Sequence, residues 1–177
     1  TSNILHSLSP SVYGEVIGFG AYGTNNGAPT INAKDVKIKV EAGAADHYNG
    51  PSGMMIHDGA NYFGENIDIN LITNSNHNGS EITALSYGAD EANVTREYNS
   101  TMKVKDVNIK IVNNQILTSG IGDNALVGLE QLGEGNQNTN FVSTGNLNID
   151  IDDKSNSAQY HVAVGIDRKS TRLNSSH

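Results

Sequence analysis

Four copies of one alternating six-residue pattern, a thin apolar complement and spacers of unequal length predict an all-β parallel β-helix, a solenoid of about four coils with three short strands each. The pattern reads Asp35-Val-Lys-Ile-Lys-Val40, Asn66-Ile-Asp-Ile-Asn-Leu71, Asp106-Val-Asn-Ile-Lys-Ile111 and Asn146-Leu-Asn-Ile-Asp-Ile151. Each copy opens on Asp or Asn and then alternates apolar with polar residues, the signature of a strand buried on one face. The chain is 36% hydrophobic but only 6% aromatic, without tryptophan. Since large aromatics dominate burial in globular cores, this composition points to a slender core filled by Ile, Val and Leu.

Further strand candidates lie between these copies. One set comprises Glu15-Val-Ile-Gly-Phe-Gly20, Gly53-Met-Met-Ile-His57, Glu81-Ile-Thr-Ala-Leu-Ser86, Ala125-Leu-Val-Gly-Leu129 and Tyr160-His-Val-Ala-Val-Gly165. A shorter set precedes each main strand: Thr30-Ile31, Tyr62-Phe63, Met102-Lys-Val104 and Phe141-Val142. Three strands recurring in one order imply a coil with three faces, and stacking such coils makes parallel ladders. Spacers 44–51, 73–79, 90–100 and 134–140 differ in length and composition, as turns on a constant frame are free to do.

Parallel stacking makes a specific forecast for the outward positions. Their columns read Lys37, Asp68, Asn108, Asn148 and Lys39, Asn70, Lys110, Asp150. Lys37 should lie beside Asp68 and Lys110 beside Asp150, with no like charges adjacent. The opening residues Asp35, Asn66, Asp106 and Asn146 should stack at one corner as an Asx ladder, where short polar side chains suit turn backbone.

Charge and missing residue types narrow the function classes. The net charge of −8 disfavours nucleic acid and anionic membrane, both of which need clustered Lys or Arg. No apolar run reaches the roughly 20 residues that would cross a bilayer, and the absence of cysteine excludes disulfides and thiolate metal sites. Residues 167–177, Asp-Arg-Lys-Ser-Thr-Arg-Leu-Asn-Ser-Ser-His, read as the in-frame translation of a common sequencing adapter. The expected division is therefore a β-helix region at 1–166, incomplete at both ends, and a non-native tail at 167–177. Without the tail the chain has eight bases and eighteen acids, a net of −10, and Arg96 is its only arginine. Thr1 is followed by no charged and apolar leader, so a secretory signal, if the protein has one, is expected upstream.

Little catalytic chemistry is legible. Asp152-Asp153 is the one adjacent acid pair on a strand end, where a glycosidase would need two carboxylates flanking a sugar bond. The Gly-His-Gly and Arg-Ile-Lys elements of β-helical pectin-degrading enzymes do not occur. His6, His47, His57, His77 and His161 fall in different repeats without metal-ligand spacing. Gly120-Ile-Gly-Asp-Asn124 resembles one calcium-binding nonapeptide but stands without tandem copies, which leaves a turn. The triplets at Asn78, Asn93 and Asn99 match the glycosylation sequon by composition alone. No catalytic, cofactor-binding or metal-ligating residue is assigned. The ligand-contact candidates are exposed loop residues: Tyr48, Asn49, Arg96, Tyr98, Asn136 and Asn138.

The Asx-initiated strands, the glycine-closed second strands (Asp58-Gly59, Tyr87-Gly88, Leu132-Gly133) and the Asn-rich spacers of residues 11–166 resemble the passenger region of autotransporter adhesins. The resemblance implies a right-handed stalk, exported across the outer membrane and displayed on the bacterial surface by a C-terminal barrel. That barrel's aromatic-flanked strands are not in this chain. It further implies a non-enzymatic stalk or adhesin segment whose partner is a host-surface glycan or protein. The alternatives are part of a β-helical, pectin-lyase-like carbohydrate-active enzyme or a phage tail-spike, with the active coils elsewhere. Open solenoid ends are expected to drive self-association.

Overall fold

The computed structural model describes residues 2–6, 17–23, 27–42, 51–74, 82–88, 99–114, 124–133, 138–155 and 161–170. Twelve strands account for nearly all of them, and no helix occurs among the described residues. They are β1 (Ser2–His6), β2 (Ile17–Tyr22), β3 (Thr30–Ala42), β4 (Ser52–His57), β5 (Asn61–Thr73) and β6 (Ile82–Gly88). Then come β7 (Asn99–Val104), β8 (Asp106–Asn113), β9 (Asn124–Gly133), β10 (Asn138–Ser143), β11 (Leu147–Asp153) and β12 (His161–Ser170). Every pairing between them is parallel.

The strands form two sheets. A seven-stranded sheet runs β1-β3-β5-β7-β10, with β8 beside β5 and β11 beside β8. A five-stranded sheet runs β12-β9-β6-β4-β2. The four alternating segments pair in the predicted register: Asp35 opposes Asn66, Asn66 opposes Asp106, and Val107 opposes Leu147. Partners therefore lie 31, 40 and 40 residues apart.

The short strand set and the main set are closer than their separate listing in the sequence implies. In β3 and β5 the two are one continuous strand of 13 residues, whose ladder skips only Lys34 and Glu65. The next repeat breaks at Lys105 into β7 and β8, and the last at residues 144–146 into β10 and β11. Backbone bonds carry the ladder through this corner, Lys105 N–H donating to the Glu65 carbonyl at 2.9 Å and Gly145 N–H to the Lys105 carbonyl at 2.7 Å. Asp35, Asn66, Asp106 and Asn146 stand immediately after it. Their side chains bond from rung to rung: Asn66 Nδ2 to Asp35 Oδ1 at 2.6 Å, and Asn146 N–H to Asp106 Oδ1 at 2.8 Å.

Between the sheets lies the core. Ile38 and Val40, then Ile67, Ile69 and Leu71, then Val107, Ile109 and Ile111 are buried, as alternation requires. Leu147, Ile149 and Ile151 face the same way but are half-buried, because β11 has only β8 beside it among the described strands. From the opposite sheet come Met54, Ile56, Ile82, Ala84, Leu85, Leu126 and Leu129.

That second sheet breaks the period of two. Ala84 and Leu85 are neighbours, yet both belong to the core. Its ladders skip one column, Gly18, Gly53, Ala84, Gly128 and Gly165, while pairing the residues on either side. Such a parity break is the behaviour of a bulge, which bends the strand and re-aims its side chains. The column is made of small residues because the bend presses it against the opposite sheet. A methyl group at Gly53 would meet Ile69 Cγ2 at 2.6 Å and collide with the Ala84 carbonyl oxygen.

Residues 58–60 close β4 through left-handed backbone, with φ of 56° at Asp58 and 88° at Gly59. Gly88 closes β6 at φ 121°, its carbonyl accepting the Asp58 N–H at 2.8 Å. Glycine carries no steric penalty there, which accounts for the glycine-closed pattern. β1 was not evident in the sequence, and β12 pairs along β9 as far as Asp167 with Glu130 and Ser170 with Gly133.

Candidate functional site

Among the described residues, the outward face of the main strands forms a continuous polar surface. Alternation sends every second side chain to solvent, and the in-register stack lines these side chains up in columns. Lys37 Nζ lies 3.7 Å from Asp68, and Lys110 Nζ 3.6 Å from Asp150, both as forecast from the sequence. Asn108 Nδ2 donates to Asp68 Oδ1 at 3.0 Å, and Asn148 Nδ2 to Asn108 Oδ1 at 2.8 Å. Asn70 separates Lys39 from Lys110 in the third column, so no two lysines adjoin. Two shallow grooves run along this face, of about 550 Å³ between the second and third columns and about 510 Å³ between the first and second.

The face is a polar ribbon of amides and alternating charge. Most of its donors and carboxylates are already engaged between rungs, so it offers contact area and not an activated group. Its ion pairs are exposed and contribute little to stability. Lys37→Ala is expected to cost no more than about 0.5 kcal/mol, with the difference vanishing in high salt. Urea unfolding at low and high ionic strength checks this.

The acid pair does not form a two-carboxylate site. Successive strand residues point to opposite faces, and each acid is otherwise occupied: Asp152 pairs with Lys154 at 3.0 Å, and Asp153 accepts from Asn113 Nδ2 at 2.9 Å and from Ser155 N–H at 3.0 Å.

A second cluster was invisible in the sequence. On the five-stranded sheet, His57, Ser86 and Glu130 are buried, and Ser86 stands opposite Glu130 in the ladder. His57 Nε2 lies 2.7 Å from Ser86 Oγ, and its ring meets Tyr22 edge-on at 5.5 Å between centroids. A hydroxyl within reach of an imidazole is nucleophile–base geometry. Here His57 and Ser86 are each 1% exposed, so the bond is a buried structural one. No linear signal could have paired residues 29 apart on a sheet whose alternation is interrupted by the bulge.

Of the loop candidates, Tyr48, Asn49, Arg96, Tyr98 and Asn136 lie outside the described residues. Asn138 opens β10, its backbone opposite Asn99. Tyr62 and Tyr87 are buried in the core, whereas Tyr22 is exposed. Among the described residues no group of three His, Asp or Glu side chains is placed to hold a metal ion, and no helix is long and apolar enough to cross a membrane.

The phenol of Tyr62 is displaced from its ordinary pKa. Burial, reinforced by the Asp35 carboxylate, raises its phenol above the ordinary value of 10.0. The folded state thus holds this proton more tightly than the unfolded chain, so its contribution is intact below that value and is lost as pH rises past it. The hydroxyl is buried without a hydrogen-bond partner. Tyr62→Phe is therefore expected to be neutral or stabilising by up to about 1 kcal/mol at neutral pH, and to lose less stability in alkali. Denaturation at neutral pH and about one unit above the ordinary phenol value measures both.

Comparison with known protein families, with curated proteins and with solved structures finds no match for this chain.

Proposed function

We propose that this chain is a segment of a right-handed parallel β-helix that serves as a non-enzymatic stalk or adhesin region of a bacterial cell-surface protein of the autotransporter type. The observation that carries the reading is the in-register parallel stacking of the four main strand segments at offsets of 31, 40 and 40 residues. Parallel ladders formed by consecutive repeats are how a solenoid closes its backbone hydrogen bonds. The resemblance to autotransporter passengers supplies the handedness, the export route and the surface location. The polar ribbon supports a role in extended contact, because its side chains bond to one another from rung to rung. Spacers 44–51, 90–100 and 134–140 are the segments free to vary for a host glycan or protein.

Antibodies raised against the 177-residue chain test the surface reading. Intact cells carrying the full gene should be labelled, and protease treatment of those cells should remove the label. Labelling only after lysis would overturn it. Deleting the three spacers should abolish attachment of labelled cells to host surfaces, and unchanged attachment would refute the adhesin role.

A further inference from the structure

We propose that the outward face of the main strands is a contact surface for a second copy of this chain, laid face to face with its rungs in reverse order. Asp35, Lys37 and Lys39 on the first rung are exposed, as are Asn148 and Asp150 on the last. The argument for a second copy is the order of charges down the three polar columns. The first column alternates acid and amide, from Asp35 through Asn66 and Asp106 to Asn146. The third begins on Lys39 and ends on Asp150, with Asn70 and Lys110 between.

A two-fold axis parallel to the strands reverses the rungs and sets each column against itself. Asp35 then meets the partner's Asn146, and Asn66 the partner's Asp106. Lys37 meets the partner's Asn148, and Asp68 the partner's Asn108. Lys39 meets the partner's Asp150, and Asn70 the partner's Lys110. Every contact in the three columns joins a charge to an amide or to its opposite, and the like-charge contacts that penalise wrong partners are absent. The other face-to-face symmetry, with its axis along the stack, fails this test. Full overlap of the columns would then set Lys37 against the partner's Lys37 and Asp68 against the partner's Asp68. At the rim the reversed arrangement brings Glu41 to the partner's Asp152, but each acid already holds a lysine, Lys39 at 3.1 Å and Lys154 at 3.0 Å. Beside them the half-buried Ile72 meets the partner's Val112. The rung-to-rung bonds within one chain do not exhaust the face, since an ammonium and a carboxylate each take several partners. The inference rests on this face alone and stands whether or not the protein resides on a cell surface.

The four rungs, each spanning residues equivalent to 35–41, cover roughly 400 Å² on each copy. That is the size of a transient contact, so the association is weak. Sedimentation equilibrium of the full chain at low salt, up to about 1 mM protein, measures it. The average mass should rise towards that of a dimer and fall back at high salt. Lys39→Glu and Asp150→Lys should each weaken the dimer at least roughly tenfold, because symmetry makes either substitution create two like-charge contacts. Mixing the two variants in equal amounts should restore association, since both contacts then join opposite charges. A variant that had merely misfolded would gain nothing from the mixture. A chain that stays monomeric throughout leaves the face to some other occupant and overturns the proposal. Variants that associate like the unsubstituted chain would place the contact at the solenoid ends and overturn it too, as would a mixture no better than either variant alone.

Discussion

Gly53→Val is expected to destabilise the chain by about 3 kcal/mol, the upper end of the cost of forcing bulk into a packed interior. The position lies in the bulged column of the five-stranded sheet. There a β-carbon would meet Ile69 Cγ2 at 2.6 Å and the Ala84 carbonyl oxygen still closer. Relief would require moving either β6, whose backbone supplies that oxygen, or β5, whose Ile69 is 2% exposed. Neither can give without disturbing neighbours on both sides, because β5 lies between β3 and β8 and β6 lies between β4 and β9. Urea unfolding followed by far-ultraviolet circular dichroism gives the measurement, with Met55→Val as the control. Met55 neighbours Gly53 in the same strand but is half-buried, and its replacement should cost less. Equal costs would refute the close approach of the two sheets.

Ile69→Ala should cost about 2–5 kcal/mol, the range for deleting a buried aliphatic side chain where the surroundings cannot collapse into the cavity. Ile69 sits in β5 with Ile38 on one side and Ile109 on the other, all three buried. Ile149 is the equivalent residue of the last repeat, pairing with Ile109, but it is only half-buried. Ile149→Ala should therefore cost less than half as much, since less apolar area leaves water in the native state to begin with. The contrast is diagnostic because the two isoleucines occupy the same place in the repeat. Comparable losses at both would show that the edge strand is covered in solution.

These two substitutions separate what is readable in the chain from what is not. Both isoleucines carry the same local signal, an apolar residue flanked by polar ones after an Asx, and both are correctly read as inward-facing. Alternation reports which face a side chain takes, since strand geometry has a period of two. It does not report how many strands lie beside it. The register of the charged columns was legible for the same reason: once four copies of one motif are stacked, Lys37 must face Asp68 and Lys110 must face Asp150, and they do.

Other features depended on contacts that the linear order conceals. β1 carries adjacent Ile4 and Leu5 without alternation, and only its ladder with residues 38–42 marks it as a strand. The corner at Asp35 and Asn66 is continuous in β3 and β5 but broken at Lys105, although the flanking motifs are alike. The pairing of His57 with Ser86 required knowing that Met55 lies opposite Ser86, a register set by neighbouring strands across the bulge.

The sequence by itself determined an all-β chain, the inward and outward faces of the main strands and the partners along their polar columns. These are consequences of backbone periodicity and of copying one motif, and both are local properties. Tertiary structure alone decided the small-residue column, the buried His57–Ser86 bond, the unsatisfied Tyr62 hydroxyl and the half-burial of Ile149. Each of these depends on how closely one sheet approaches another, or on whether a strand has a neighbour. Such distances are set by the packing of residues far apart in the chain, and no short window of sequence encodes them.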